Sequence, residues 1–281
     1  MTIDQVASAL VYLLCAFVVF LVGKWTYDKL HPRFVLREEL LVRDNLALAL
    51  AVVGYYLGVV IAIGGVLEGP SSSLQEELLD IFFYGLISVV LLNISAFVND
   101  KIILRKFDNQ KEIIDDQNVG TGVIEAGNHI AVGLIVYGAI SGEGGDLLTA
   151  AAFWLLGQGV LILTGLIYNL ITPFDIHEEI ENDNVAVGVA FSGALIAVGN
   201  IIRISVEGDF VSWSQNLFEF GGFALFGLLL LPVVRWVTDK VLLPGHRLSD
   251  ELVNQEKPNV GAGAVEAFSY VAASFLLGWV A

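Results

Sequence analysis

The chain has 281 residues, 56% of them hydrophobic and 16% charged, with a mean hydropathy of +0.74. Ordinary globular domains run at about 45–50% apolar and about 25% charged, so this composition argues against a soluble enzyme. A net charge of -16 and an isoelectric point near 4.4 leave no basic face for a phosphate backbone, which excludes a nucleic-acid partner.

Eight apolar runs are each long enough to cross a bilayer, which takes about 20 residues. The first, residues 6–24, holds the single cysteine, Cys15, which has no partner for a disulfide and reads as a small buried hydrophobe. Ahead of it, Met1-Thr2-Ile3-Asp4 lacks the positive region of a secretory signal, so the run is expected to stay as a span. The others cover residues 46–67, 78–98, 119–140, 147–171, 185–205, 217–237 and 260–280. Connections at 67–75, 141–146 and 206–214 are short and contain glycine or serine, as tight hairpins do.

Basic residues set the sidedness. Lys24, Lys29, Arg33, Arg37 and Arg43 follow the first span; Lys101, Arg105, Lys106 and Lys111 follow the third; Arg235, Lys240, Arg247 and Lys257 flank the last link. Of the 14 Lys and Arg residues, 13 therefore fall on one side, with Arg203 left near the other. The positive-inside rule makes those links cytoplasmic and both termini extracytoplasmic, and the link at 172–184 follows by parity. Trp25, Tyr27, Trp213 and Trp236 sit at span ends as interfacial anchors.

The even spans open alike, on Asn45-Leu-Ala-Leu-Ala, Asn118-Val-Gly-Thr-Gly, Asn184-Val-Ala-Val-Gly and Asn259-Val-Gly-Ala-Gly, with the asparagines 73, 66 and 75 residues apart. Odd spans end on Asp28-Lys29, Asp100-Lys101 and Asp239-Lys240, with Asn169-Leu170 as the divergent copy, and an acidic cluster follows each. The chain thus reads as an all-α membrane protein of eight transmembrane helices in four parallel two-helix repeats. With these openings and two-helix units, the chain resembles the YjfL-like bacterial inner-membrane family, built from a two-helix domain of unknown function. That resemblance implies an integral inner-membrane protein and carries no activity or catalytic residue with it.

Seven residues beyond each asparagine stand Val52, Glu125, Phe191 and Glu266; twenty before each Asp-Lys position stand Ser8, Asp80, Thr149 and Glu219. Both columns alternate, which groups the repeats into halves 1–141 and 142–281 related by a pseudo-two-fold. Seven residues of helix place Glu125 and Glu266 about 10 Å inside the link-side end of their spans, where an ionisable group is costly and marks a pathway or a wet cavity. Asp80 and Glu219 fall near the other boundary. Helical spacing puts Gly122, Glu125, His129 and Gly133 on one stripe and Gly263, Glu266, Tyr270 and Ser274 on another.

If all four stripes faced one axis, the two glutamates would face each other, and a shared proton or bound cation would relieve their repulsion. The alternative is that each is protonated and hydrogen-bonded to a neighbouring helix. His129 is either such an interhelical contact or a proton relay, and Glu125-x-x-x-His129 is too little for a metal site. Asn45, Asn118, Asn184 and Asn259 are N-caps at the cytoplasmic mouth; their helix ends either hold an anion or simply pack closely. The acidic residues Asp175, Glu178, Glu179, Glu181 and Asp183 form a solvated face or dock a partner.

Two functions follow. One is a channel or transporter passing protons or small cations beside Glu125 and Glu266, supported by His129, Tyr270, Asp80 and Glu219; the other is a non-transporting scaffold, as in an envelope-stress complex, that binds a cytoplasmic protein through the acidic links. No catalytic motif, metal site or cofactor is expected, and the oligomeric state is open.

Overall fold

The computed structural model describes residues 3–68 and 73–280, with side chains from Val6 onward. Part of the hairpin at 67–75 and part of the N-terminal reading at Met1 to Asp4 lie outside the described residues. Eight long helices form the body: α1 (Ile3–Leu30), α3 (Leu46–Glu68), α4 (Leu74–Val98), α6 (Val119–Ile140), α7 (Leu147–Ile171), α9 (Val185–Val206), α10 (Trp213–Val237) and α12 (Val260–Val280). Each is long and apolar enough to span, and none of the described residues forms a strand. The links hold four short helices that the sequence did not announce: α2 (Leu36–Leu41), α5 (Asn109–Ile114), α8 (Ile176–Glu181) and α11 (Leu248–Val253).

The even spans do not surround an axis. They stand in a row, α3 against α6, α6 against α9 and α9 against α12. Glycines nine positions past three of the four cap asparagines bring the backbones together: a Cβ placed on Gly54 would lie 2.2 Å from Ala126 Cα, one on Gly127 2.1 Å from Ser192 Oγ, and one on Gly193 2.3 Å from Ala267 Cα. The fourth member of that column is Phe268, which is exposed. At the opposite end, the face of α3 equivalent to the receiving faces of α6, α9 and α12 carries the exposed Val53 and Val60. Bulky residues thus close the row at both ends, as terminal repeats do in repeat proteins.

The odd spans fill the grooves of this row. α4 packs on α3 and α6, α7 on α6 and α9, α10 on α9 and α12, and α1 on α3 and α4. Their outer faces, with Leu13, Phe17, Leu79, Leu155, Leu170 and Phe218 exposed, form the apolar surface a bilayer covers. α4 and α10 each continue into a π-helical turn, Asn99–Ile103 and Thr238–Leu242, whereas α1 and α7 do not. That is a third alternating column, and it belongs to the two copies that carry a glutamate.

The cap asparagines explain how the copies register. Each side-chain oxygen accepts from the third helical N–H, at Leu48, Thr121, Val187 and Ala262. Each side-chain amide also donates to a link glutamate: Glu39 for Asn45, Glu112 for Asn118, Glu179 for Asn184 and Glu251 for Asn259. The first three then donate onward to the short helix of the next copy, at Ile113 O (2.9 Å), Ile180 O (2.7 Å) and Leu252 O (2.9 Å). Asn259 has no next copy and stays exposed. A further tie joins neighbouring links, where the Lys106 ammonium beside it holds the Asp175 carboxyl down at about 2.

This inequality among the caps sets an expected stability order. Asn118→Ala loses a cap and two buried side-chain bonds, about 2–4 kcal/mol together, whereas Asn259→Ala loses a cap and one exposed bond, about 1 kcal/mol. Thermal melts of the two variants in one detergent would test it, and equal losses would show that the bond to the next copy contributes nothing.

Candidate functional site

Because the helices form a row, α9 lies between α6 and α12, and the stripes point to neighbouring helices instead of a common axis. Gly122 and Gly133 press on Ala47 and Gly58 of α3; Gly263 presses on Ala186 of α9. The expected facing pair of glutamates is therefore corrected: Glu125 and Glu266 occupy separate places, each in the angle between its own even helix, the preceding even helix and the adjoining odd helix.

Around Glu125, the Asn109 amide donates to Oε1 at 3.1 Å, and His129 Nε2 lies 3.6 Å from Oε2, beyond a normal hydrogen bond. Asn99, from the π-helical turn, stands beside the same carboxylate. Several buried polar atoms here have no partner: Asn99 Nδ2 and Oδ1, Asn109 Oδ1 and His129 Nδ1. Buried polar atoms are normally satisfied, so a cluster left open beside a carboxylate marks a place for water or a ligand. A cavity of about 340 Å³ leads to it from the link side, between the link residues Phe34 and Gln110 and the walls Tyr27, Phe97 and Asp100. No Lys or Arg lines this cavity. Beyond His129 the helices are dry, with Val59, Ala62, Val132, Ile135 and Val136 buried.

Glu266 has a built-in cation, although its Oε2 is also buried without a partner. It is fully buried, and its Oε1 is bound by Arg235 Nη1, by the Tyr168 hydroxyl at 3.2 Å and by the Tyr270 hydroxyl at 3.4 Å. Arg235 Nη2 donates to Ser249 Oγ at 3.0 Å, and the guanidinium lies over the Tyr168 and Phe174 rings, 5.8 and 5.9 Å from their centroids. One carboxylate is thus locked by a built-in cation, and its repeat partner is open.

The remaining sequence candidates divide. His129 joins Glu125 and Tyr270 joins Glu266, as their spacing requires. Asp80 and Glu219 are exposed on the outer surface and join neither site; Glu219 accepts only from Gln215, at 3.1 Å. The four asparagines spend both amide atoms on caps and links and form no ring. Tyr27 is buried instead of anchoring at the interface, and Arg235, counted with the cytoplasmic charges, is buried against Glu266. Tyr168 was missed although a signal for it existed: it lies 141 residues after Tyr27, the same interval that separates Glu125 from Glu266.

Comparison with known proteins agrees with this duplicated plan. The Domain of Unknown Function DUF350 matches twice, over residues 1–140 and 144–281. The chain belongs to the DUF350 family. It is similar to the UPF0719 transmembrane protein of Aquifex aeolicus (strain VF5), 23% identical over 259 residues, 90% of this chain and 93% of that protein. The UPF0719 inner membrane protein YjfL of Escherichia coli (strain K12) is 31% identical over 118 residues, 42% of this chain and 81% of YjfL. The UPF0719 transmembrane protein YshE of Bacillus subtilis (strain 168) is 24% identical over 112 residues, 40% and 79% respectively. YjfL and YshE therefore each pair with less than half of this chain. No solved structure matches.

Proposed function

We propose that this DUF350 protein passes protons or small cations across the membrane, with Glu125 as the site where they bind. The observation that carries the reading is the contrast between the two repeat glutamates. Glu266 is neutralised inside the fold by Arg235, whereas Glu125 ends a cavity that no Lys or Arg lines and is surrounded by unpaired polar atoms. A buried carboxylate left in this way is expensive unless something charged or protonic completes it. His129, packed behind Glu125, would receive or orient what Glu125 releases. The experiment is a flux assay in proteoliposomes comparing the wild type with Glu125→Gln. Wild-type protein that carries neither protons nor small cations would leave a non-transporting role in the membrane.

The proposal includes an orientation in the bacterial inner membrane, with the basic links and both cavities facing the cytoplasm and both termini outside. Cysteines introduced at Gly144 and Gly208 are expected to react with an impermeant thiol reagent added outside intact cells, and cysteines at Asn182 and Asn254 are not. Labelling of Asn182 from outside would overturn the orientation.

A further inference from the structure

The second half contains a cavity of about 610 Å³ that corresponds to the first along the wall formed by the odd helices. Leu30 and Ile171, Asn93 and Pro232, Phe97 and Trp236, and Asp100 and Asp239 occupy corresponding places along the two walls. One exchange changes the chemistry: Ala96 lines the first cavity where Arg235 enters the second. Every group that receives the Arg235 guanidinium has a counterpart around the first cavity. Glu266 corresponds to Glu125 and Tyr168 to Tyr27; Ser249 corresponds to Gln110, the neighbour of Asn109 on the short helix, and Phe174 to Phe34 one position out of step. No Lys or Arg reaches those first-half groups. Asn109 Oδ1 and Asn99 Oδ1 are buried acceptors without donors, and no Lys or Arg reaches Glu125, whose one basic neighbour is His129 at 3.6 Å.

We propose that the first cavity binds a small monovalent organic cation with N–H donors, of the guanidinium or primary ammonium class, and that the Arg235 side chain occupies the equivalent place in the second half as a tethered version of that ligand. The inference rests on Glu125 as a cation site and narrows which cation it takes. The ligand gives one N–H to Glu125 Oε2 and another to Asn109 Oδ1, while its flat or methylated side meets the ring cluster of Tyr27, His31 and Phe34. At about 340 Å³ the cavity lies within the about 300–1,000 Å³ range of small-molecule sites. Only one of the two halves has the site free, so each chain takes one ligand.

Calorimetric titration of the purified full chain in nanodiscs with methylguanidinium, methylammonium, tetramethylammonium and potassium chlorides tests this. The expected result is saturable binding of one methylguanidinium or methylammonium per chain, at least tenfold weaker binding of potassium and of tetramethylammonium, which has no N–H, and at least a tenfold loss in Glu125→Gln and in Ala96→Arg. The Ala96→Arg variant keeps the carboxylate and fills the cavity with the second half's own solution. Should that variant fail to fold, Arg235→Ala decides: millimolar methylguanidinium is expected to raise its melting temperature more than equal potassium chloride does. No saturable binding of either N–H cation, two ligands per chain, binding unaffected by Ala96→Arg, or no selective rescue of Arg235→Ala would each overturn the proposal. Glu125-dependent flux of protons or potassium without such binding would overturn it and leave the transport reading standing. Binding without any flux would keep this site and remove transport.

Discussion

Arg235→Ala is expected to destabilise the protein by about 3–5 kcal/mol, the cost of leaving a buried charge without its partner. Glu266 is fully buried, and two tyrosine hydroxyls alone cannot replace a guanidinium as the source of positive charge. Removing the charge from both sides should recover most of the loss, because a well-packed apolar pair commonly matches a buried ion pair in stability. The variant Arg235→Met/Glu266→Met is therefore expected to melt close to the wild type and well above Arg235→Ala. Thermal unfolding monitored by circular dichroism in a single detergent separates these cases. A mild Arg235→Ala phenotype, within about 1 kcal/mol of the wild type, would mean that the pair does not lock the second half.

Glu125→Gln is expected to behave in the reverse way, keeping the fold and losing flux. Glutamine preserves the volume and the ability to accept from Asn109, so packing between α6 and α3 should survive. It cannot release a proton or balance a cation, and a reduction of about tenfold or more in proteoliposome flux follows. Glu266→Gln, normalised to folded protein, is expected to leave flux near the wild-type rate, since Glu266 is sealed from both cavity and lipid by Arg235 and the tyrosines. Equal loss in the two variants would point to a role shared by both halves.

Much of this architecture was legible in the sequence because hydrophobic length and small-residue openings are local properties. The spans, the four copies and the alternating glutamates all follow from counting along the chain. How one copy sits against the next does not, since a period in sequence carries no angle. The deciding clue lay in the column nine residues past each asparagine: Gly54, Gly127 and Gly193, then Phe268. Three glycines among four helices serve three interfaces, which is an open row; a closed ring needs a fourth. The links were harder to read. α2, α5, α8 and α11 are six residues each, too short to show a helical period, and they hold because the cap asparagines bond their carbonyls and glutamates.

Arg235 was misread for a geometric reason. It looks interfacial when α10 is ended at Val237, but the π-helical turn carries the span on through Leu242 and draws the guanidinium into the protein. The same kind of turn places Asn99 beside Glu125, and a π-helical turn cannot be foreseen from hydropathy. The asymmetry between the two halves came from the exchange of Ala96 for Arg235, since the π-helical turns and the glutamate column are common to both.

Carbodiimide labelling gives the most direct test of that asymmetry. These reagents add to carboxylic acids that they can reach in apolar surroundings, and peptide mass spectrometry locates the adduct. Intact protein in membranes, treated with an apolar carbodiimide, is expected to carry the adduct on Glu125 and none on Glu266, because the first opens into a cavity and the second is fully buried and covered by Arg235, Tyr168 and Tyr270. Modification of Glu266 at a rate equal to or above that of Glu125 would contradict the account.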